Sequence, residues 1–590
     1  MSVSRFDHAV RAALVGIVAV AMSGCALIPT SGPVQQVSQP AAGDGVPQVD
    51  VEPVAPVIDG TPDQILAGFL AAVSSGSANR FAVARQYLTP QAAQVWDPTQ
   101  AVTIYDSAGP APIITDESVV LKDPVVGSLD ADGRYTAQSE PEFSHSFAMT
   151  KVNGQWRIGD PGPGVLISQY RFEQAYRAVP VYFFDPLLDR LVAENLYMNW
   201  ADASPTTAVE GLLKGPSAWL SPAAVTALPP QAKLAVSSVP VNYGVAQVSL
   251  TQPALGLSED QKVQAAAQLL WTLRAFSAVT GLRIDVDGAP LSVRGQSPDG
   301  VVRLDAVSGY MPVEQPASQE AIGLVDGVVA RLPAIPASRP QPIAGPLGTT
   351  GWGDTPVHIA LGSDGASLAL TSETSLWLGS AINGKPAHLV FHAAGLTRPQ
   401  INSEGTWVVS SGSTEADPPQ IWLVNPAGYV QHTSLDDLAG ATVTAFRVSP
   451  DRTRVVLVAN VGGRDQVGFL RIRSVAPLMV DGWRPLLVNT GRGTLATCLD
   501  VGWTSATQLA ILATASADAS VSAYRMDVDA ASVQSMGPLS GDPPVALALL
   551  PQEPGVTAMA VTSAGVVLRY EDTTRWTVVA TGFSTVALPG

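Results

Sequence analysis

The sequence predicts a multi-domain protein in which two small α+β modules are followed by an all-β propeller of about five to six blades. Three observations lead to this fold class. Helical apolar spacing and short alternating runs are mixed as far as about residue 313. Beyond 322, apolar runs with aromatic residues alternate with polar turns at a long period, which is typical of repeated four-stranded sheets. A hydrophobic content of 46% over 590 residues is enough for several separate cores.

The first 24 residues have the layout of a secretory signal peptide. Arg5 and Arg11 form a short basic region, and an uncharged apolar run follows over 12–22. This run is shorter than the roughly 20 apolar residues that cross a bilayer. We therefore predict that 1–24 is a signal peptide.

A possible lipid anchor follows directly. The segment Met22-Ser23-Gly24-Cys25 resembles a bacterial lipobox, with Met22 where Leu is usual. The resemblance implies that Cys25 is lipidated and becomes the new N-terminus. Because acyl chains hold a protein firmly at a membrane, we predict a lipid-anchored protein on the extracytoplasmic face of the cell membrane. An ordinary secretory signal with an incidental cysteine is the alternative.

The segment 25–60 is predicted to be a tether. It contains recurring prolines with Gln, Ser and Gly between them and has no apolar periodicity. Proline removes backbone donors and favours extended polyproline geometry. At about 3.1 Å per residue, such a segment reaches on the order of 100 Å when stretched.

The first module is assigned to 61–178. Thr61 is a candidate N-cap before Pro62 at the first helical position. Short alternating runs follow, and Asn153-Gly154 between two apolar runs is a strong hairpin signal. Helices followed by a curled antiparallel sheet that ends in "GQWRI" resemble the NTF2-like fold.

The second module is assigned to 179–313. A helix is expected to end at Gly215-Pro216, a strand alternates over 245–250, and Ser258 with Gln261 forms a capping box for a second helix. The runs "LLKGP", "ALP" and "IDVDG" in this order resemble the GerMN module. That resemblance implies a non-catalytic module of envelope and spore assembly proteins.

The remaining residues, 314–590, are assigned to the propeller. Polar turns, such as Ser363-Asp364-Gly365 and Ser403-Glu404-Gly405, separate apolar strand pairs, and runs such as "QIWLV" are placed as third strands. A pair of β-sandwiches is the alternative. We expect the early run 322–332 and the terminal run 576–590 to share one blade, because such closure hides exposed sheet edges.

The residues that commonly carry chemistry do not form a recognisable motif. A net charge of −17 and an isoelectric point near 4.7 argue against nucleic acid as a partner. Cys498 is interpreted as a buried apolar residue, His388 and His392 as solvated strand residues rather than metal ligands, and Asp285 and Asp287 as residues that solvate a sheet edge. We therefore predict a protein that is not an enzyme and has no catalytic, cofactor or metal site.

The order of signal peptide, tether, α+β module, GerMN module and propeller resembles the actinobacterial lipoprotein LpqB family over the whole mature chain. This resemblance implies a non-enzymatic accessory of an MtrAB-type two-component system. Such an accessory acts on the extracellular domain of an MtrB-like sensor histidine kinase and affects cell-envelope homeostasis. A cell-envelope scaffold, a ligand-binding lipoprotein and a propeller-based glycan hydrolase remain alternatives.

Overall fold

The computed structural model describes residues 53–75, 81–106, 111–115, 117–333, 339–350, 355–412, 416–490, 493–516, 519–552, 555–571 and 574–590. The predicted signal peptide, the lipobox and most of the tether lie outside these residues. Within the described ranges, no helix is both long enough and apolar enough to cross a membrane.

The N-terminal module begins with short helices. They are α1 Pro62–Val73, α2 Ala82–Gln86 and α3 Pro90–Val95. The predicted start of α1 is confirmed, because Pro62 is its first residue and the Gln64 side chain accepts a hydrogen bond from the Thr61 amide at 3.1 Å. Its buried face includes Ile65, Leu66 and Phe69, which pack in the core of this module.

These helices pack on a sheet whose strands are β1 Val102–Tyr105, β2 Ile113–Ile114, β3 Ser118–Leu129, β4 Tyr135–Val152, β5 Gln155–Ile158 and β6 Val165–Ser168. The strand order is β5-β4-β3-β1-β6, and β2 pairs with β3. The predicted hairpin at Asn153-Gly154 joins β4 to β5, with φ of 51° and 80° at the two turn residues. Positive φ at both positions is what a two-residue turn between twisted strands requires. Helix α4, Gln169–Ala175, ends the module.

The second module combines a hairpin, two helices and a sheet. Its elements are β7 Tyr176–Phe184, β8 Leu191–Asn199, α5 Pro205–Leu213, β9 Val241–Asn242, β10 Val245–Leu250, α6 Glu259–Leu273, β11 Gly281–Val286 and β12 Ala289–Pro290. Strands β10 and β11 run parallel, with α6 as the crossover between them. The predicted capping box of α6 is confirmed, since the Ser258 and Gln261 side chains each accept a hydrogen bond from the other's backbone amide.

The third region consists of four-stranded antiparallel sheets. The first sheet contains β13 Ile322–Val325, β14 Val328–Arg331, β15 Gln341–Pro342 and the last strand of the chain, β36 Thr585–Ala587. The second contains β16 His358–Leu361, β17 Ser367–Thr371, β18 Ser375–Ser380 and β19 His388–His392. The third contains β20 Gln400–Asn402, β21 Gly405–Ser410, β22 Gln420–Val424 and β23 Val430–Ser434.

The last three sheets follow the same plan. The fourth contains β24 Thr442–Val448, β25 Arg454–Val461, β26 Arg464–Val475 and β27 Leu478–Leu486. The fifth contains β28 Thr497–Trp503, β29 Gln508–Thr514, β30 Ser522–Asp527 and β31 Val533–Ser535. The sixth contains β32 Pro544–Pro551, β33 Val556–Thr562, β34 Val566–Tyr570 and β35 Trp576–Thr581. The polar turns quoted from the sequence each join the first and second strands of a sheet.

The innermost strands of these sheets follow one another around a ring. Strand β36 contacts both β16 and β32, β16 contacts β20, and β28 contacts both β24 and β32. The remaining neighbours in the ring, β20 and β24, are joined by the Gln400 side chain of β20. It donates a hydrogen bond to the Val448 carbonyl of β24 and accepts one from the Val448 amide. This arrangement is a propeller-like domain, as the sequence predicts.

The prediction that the two ends of this domain share one sheet is confirmed for the last strand of the terminal run and wrong for the strand before it. Strand β13 pairs antiparallel with β36, so that Gly323 lies opposite Val586. The other terminal strand, β35, belongs to the sixth sheet. The terminal run therefore closes the first sheet with its last few residues only.

The three folded parts are joined at a common junction. The Tyr197 hydroxyl of β8 lies 3.0 Å from Asp527 Oδ2 and 2.8 Å from Asp529 Oδ1 of the propeller-like domain. Tyr197 also contacts the N-terminal module, because its backbone amide donates a hydrogen bond to the Gly133 carbonyl at 2.7 Å. A second bridge is formed by Trp219, whose Nε1 donates to the Gly482 carbonyl at 3.0 Å.

Candidate functional site at the propeller mouth

The four residues of the predicted lipid site, Met22, Ser23, Gly24 and Cys25, lie outside the described residues. Lipidation of Cys25 therefore stays a prediction. The candidate site that the structure describes is a pocket at one mouth of the propeller-like domain.

The pocket lies on the face where the innermost strands end and the polar turns begin. Apolar residues form much of its wall, and the polar residues come from strands β20 and β24, from the turns after β16 and β24, and from the connecting segment at Glu314. Its lining includes Val313, Glu314, Pro316, Ser363, Gln400, Asn402, Ser449, Arg452, Trp503, Leu550, Pro551 and Pro589. The segment that leaves the second module at 313–316 thus forms part of the pocket wall.

The carboxylates at this mouth are held in ion pairs. Arg452 pairs with Glu314 of the connecting segment, with 3.7 Å between Nη2 and Oε2, and it also pairs with Glu404 of the turn after β20. The backbone of Arg452 has φ of 61°, which aims this side chain from a tight turn. One guanidinium therefore fixes the connecting segment to the third sheet, and both carboxylates have a cationic partner.

Asn402 supplies an unused donor in the pocket lining. Its Oδ1 accepts hydrogen bonds from Trp407 Nε1 and from the Glu404 amide, each at 3.0 Å. Its Nδ2 is buried and has no hydrogen-bond partner among the residues that the structure describes. A ligand with a carbonyl or carboxylate oxygen would satisfy this donor. The pocket can therefore hold an apolar group next to one hydrogen-bond acceptor.

A charged cluster adjoins the pocket, on or just before the innermost strands, and its Arg447 is also part of the pocket lining. Asp500 of β28 accepts hydrogen bonds from the amides of Val501 and Leu547, at 2.9 and 2.8 Å. Arg398 and Arg447 approach the same carboxylate at 3.3 and 4.0 Å. The cluster joins strands of neighbouring sheets through buried charges, and breaking such a group on one side is strongly destabilising.

Burial sets the protonation states around this cluster. Burial, followed by the neighbouring Arg398 charge, lowers the pKa of His358 to about 4, so its imidazole is neutral at physiological pH. Burial also lowers the pKa of Arg447 to about 10, which still leaves the guanidinium charged. The cluster therefore has two positive charges and one negative charge, and His358 adds a neutral ring.

The histidines and the cysteine singled out in the sequence contact residues of their own sheets or are buried in the domain core. His392 shares a hydrogen bond of 2.9 Å with the Ser375 hydroxyl, and His388 lies opposite Leu378 on the outermost strand of its sheet. Cys498 is buried, and burial strongly raises the pKa of its thiol. In the ranges that the structure describes, no group of three or more His, Cys, Asp or Glu residues could hold a metal ion.

Asp285 differs from its sequence interpretation. It is 7% exposed, and its Oδ2 accepts a hydrogen bond from Gln247 Nε2 at 2.7 Å across the parallel β10–β11 pair. This carboxylate therefore joins two strands instead of solvating a sheet edge. Asp287 occupies the following turn with φ of 47°, where Gly288 completes the reversal to β12.

The sequence interpretation missed the cluster of His358, Arg398, Arg447 and Asp500. A signal for it exists, because a charged or titratable residue recurs in or just before the apolar first strand of four successive sheets. Alternation of inward and outward residues explains why such positions converge on one axis. Periodicity alone does not show which of these residues meet.

Comparison with protein families gives three matches along the chain. Residues 55–173 match the family described as "Lipoprotein LpqB, N-terminal domain". Residues 180–292 match the family described as "Sporulation and spore germination", and residues 331–589 match "Lipoprotein LpqB beta-propeller domain". The three matches follow the order of the three folded parts.

Whole-chain relatives are also found. A protein named Lipoprotein LpqB from Cutibacterium acnes is 30% identical over 598 residues, which cover 98% of this chain and 99% of the relative. Lipoprotein LpqB from Streptomyces coelicolor is 27% identical and covers 77% of each chain. Among solved structures, TolB from Acinetobacter baumannii is 11% identical with a TM-score of 0.31, over 54% of this chain and 85% of that one. A similarity of that size supports no argument about function.

Proposed function

The chain belongs to the lipoprotein LpqB family, and from this premise we propose that it is a non-enzymatic binding protein anchored at the membrane through Cys25. Its partner on the extracytoplasmic side is the extracellular domain of a sensor histidine kinase of the MtrAB type, which it modulates. The consequence is an effect on cell-envelope homeostasis. The kinase part of this proposal depends on the family resemblance described from the sequence.

The observation that carries the binding part is the pocket at the propeller mouth. Pro316, Leu550 and Pro551 line the same pocket as the unused Asn402 Nδ2 donor. An extended protein segment presents this combination, an apolar side chain beside a backbone carbonyl. Partly enclosed apolar pockets with few polar groups are also where protein interfaces concentrate their binding energy.

The proposed anchor supports such an interaction. A tether over 25–60 keeps the folded parts close to other proteins in the same membrane. Short flexible tethers give effective concentrations in the millimolar range, so a weak interface is substantially occupied. Modulation of a membrane-bound sensor fits this arrangement better than turnover of a freely diffusing substrate.

We propose two finer assignments of the fold. Each of the six four-stranded sheets is one blade, which gives a six-bladed propeller at 314–590. The module at 61–178, with helices packed on a curled sheet, is NTF2-like and precedes the GerMN module at 179–313.

A ligand-binding lipoprotein or scaffold without a kinase partner is the second candidate. The Asn402 donor is compatible with this candidate too, because a small molecule can satisfy that donor as well as a protein segment can. A glycan hydrolase finds no such support at this mouth, since Glu314 and Glu404 are both paired with Arg452.

The test uses the full-length lipoprotein in detergent micelles and the isolated extracellular domain of the sensor. Ser363→Trp places a large side chain in the pocket wall without removing an internal side-chain contact of the innermost strands. We expect it to weaken binding by about tenfold, which corresponds to about 1.4 kcal/mol. Ser516→Trp is the matched control, because Ser516 lies in the turn between the second and third strands of its sheet, at the opposite face.

Binding is measured by interferometry, and phosphorylation of the response regulator is measured in cells with and without the lipoprotein. Equal affinities for Ser363→Trp and wild type would show that the mouth is not the binding site. If the wild-type protein does not bind the sensor domain and phosphorylation is the same in cells with and without the lipoprotein, the kinase is not its partner. The second candidate would then be favoured.

A further inference from the structure

A second pocket lies where the three folded parts meet. Arg134 contributes to it from the N-terminal module, Asn195 and Trp219 from the second module, and Arg484 and Asp529 from the propeller-like domain. Thr136, at the rim, is exposed, so the pocket reaches the surface. A molecule bound here would touch all three parts of the chain.

Asn195 is the first sign that this pocket holds a ligand. The residue is 4% exposed, and neither its Nδ2 nor its Oδ1 has a hydrogen-bond partner within the described ranges. Buried amides in folded proteins are almost always hydrogen-bonded, because leaving one unpaired is costly. A molecule that supplies both an acceptor and a donor would satisfy this side chain.

Arg484 is the second sign. Its guanidinium lies over the Trp219 ring, 5.5 Å from the ring centroid, and among the described residues it makes no hydrogen bond or ion pair. Nε of Arg454, which also lines the pocket, is buried and has no partner in the same part of the chain. These donors point to an anionic ligand, because guanidinium groups match the planar fork of a carboxylate.

The other charged groups of the pocket have polar partners within the chain, and Nη2 of Arg454 pairs with Asp451 at 2.5 Å. Arg134 pairs with Asp132 and Glu194 at 2.9 and 3.4 Å. Oδ1 of Asp529 is approached by the Tyr197 hydroxyl at 2.8 Å and accepts a hydrogen bond from the Ala531 amide at 3.1 Å. The carboxylates of Asp529 and Glu194 act on Arg484 electrostatically, but among the described residues neither is within ion-pair distance of it. The donors of Arg484, like Nε of Arg454, are therefore available to a ligand.

We propose that this junction pocket binds a small hydroxycarboxylate. The carboxylate oxygens accept from Arg484 and from Nε of Arg454, and the hydroxyl group donates to Oδ1 of Asn195. The Nδ2 group of Asn195 donates to a remaining ligand oxygen, and Trp219 forms an apolar wall. This site is independent of the propeller mouth and of the kinase partner.

The experiment titrates the full-length lipoprotein, in detergent micelles, with D-glycerate in a calorimeter and follows thermal unfolding at the same ligand concentrations. Glycerol tests the hydroxyl groups without the carboxylate, and inorganic phosphate and sulfate test other oxyanions at matched ionic strength. We expect saturable binding and a rising melting temperature with D-glycerate, with at least tenfold weaker binding of all three comparison molecules.

Two variants locate the site. Arg484→Met keeps an apolar stem over Trp219 and removes the donors, and Asn195→Leu replaces the amide by an apolar group of similar size. Each should weaken D-glycerate binding by at least about tenfold, as expected for loss of a charge-assisted or buried hydrogen bond. Arg569→Met is the matched control, since Arg569 of β34 is half exposed and pairs with Glu571, which lies just after that strand. Its affinity should stay within twofold of wild type.

The melting temperature of Asn195→Leu without ligand provides a second, independent measurement. Asn195→Leu should melt at or above the wild-type temperature, because it removes an unpaired buried amide. Absence of saturable D-glycerate binding to the wild type at millimolar concentrations would overturn the proposal. If Arg484→Met and Asn195→Leu bind D-glycerate with unchanged affinity, the ligand does not bind in the junction pocket. Equal or tighter binding of phosphate would overturn the assignment to a carboxylate.

Discussion

Tyr197 places one phenolic proton between two carboxyl groups. A hydroxyl group donates to one acceptor at a time, yet Asp527 and Asp529 both lie within hydrogen-bond distance of it. The second contact therefore needs a proton on one of the carboxyls. Burial, and then the neighbouring Asp527 charge, raises the pKa of Asp529 to about 7, and burial also raises the pKa of Asp527.

This raised pKa makes the junction sensitive to pH. The folded chain keeps a proton on the pair that the unfolded chain loses near the ordinary aspartate pKa of 3.8. The stabilisation is therefore complete below that pH and is lost as the pH rises to about 7. We expect the melting temperature to fall between pH 5 and pH 8, as measured by scanning calorimetry.

The variant for this prediction is Asp529→Asn, which keeps the shape of the side chain and does not titrate. Its melting temperature should fall less between the same two pH values than that of the wild type. Asp260→Asn is the control, because Asp260 is an exposed aspartate on α6. A wild-type profile retained in Asp529→Asn would show that another group causes the pH dependence.

At the scale of elements, strand β36 closes the propeller-like domain. Val586 and Leu588 near the C-terminus are buried, and β36 pairs with β13. Removal of 585–590 exposes the edge of β13 and loses two large buried aliphatic side chains, Val586 and Leu588, together with the smaller Ala587. At about 1.5–3 kcal/mol for each large side chain, the expected cost is about 3–6 kcal/mol in the free energy of unfolding.

Chemical denaturation of the truncated and full-length chains measures this loss. Thr585→Val is the control, since it keeps the strand and removes a buried hydroxyl that has no partner in the described part of the chain. It should leave the free energy of unfolding unchanged or slightly higher. If the truncated chain unfolds at the same denaturant concentration as the full-length chain, β36 does not hold the domain closed.

Local signals explain why many elements could be predicted from the sequence. Asn153-Gly154, the Ser258–Gln261 capping box and the turn at Gly215 act within a few residues, so the sequence contains the whole interaction. The closing pair β13–β36 was also predicted, because both segments are strand-forming and a propeller needs its ends joined. In each of these cases, either residues close together in the chain or the fold class itself determines the element that forms.

Other features join residues that are far apart in the chain. Arg398 meets Asp500, and Tyr197 meets Asp527, only after whole sheets have formed between them. Alternation predicts which face a residue occupies, but it does not predict which strands lie side by side or which modules touch. The axial cluster and the junction pocket therefore could not be assembled from the sequence.

At the scale of the whole molecule, the proposed anchor at Cys25 would determine where the folded parts act. Cys25→Ala should prevent lipidation and leave the chain unprocessed by lipoprotein signal peptidase, because the sulfur that receives the lipid is missing. We expect mass spectrometry to detect a precursor, and detergent-free washing to release any mature product from membranes. A mature-sized Cys25→Ala product that still needs detergent for release would contradict Cys25 as the anchor.

At the same scale, contacts of Trp219 join the second module to the propeller-like domain. Trp219 belongs to the second module, yet its Nε1 donates to the Gly482 carbonyl and its own carbonyl accepts from Arg471 at 2.8 Å. The guanidinium groups of Arg471 and Arg484 lie over its ring at 5.7 and 5.5 Å. Two hydrogen bonds and two cation–π contacts thus hold this module to the propeller-like domain.

Trp219→Ala removes the side-chain part of that bridge, at an expected cost of about 2–3 kcal/mol. We expect a single calorimetric transition to split into two and the connecting segment near 314–321 to become sensitive to protease. Trp200→Ala is the matched control, because Trp200 is a partly exposed tryptophan of the same module that packs under Arg177. One unchanged transition and an unchanged cleavage pattern in Trp219→Ala would mean that other contacts, such as those of Tyr197, couple the modules.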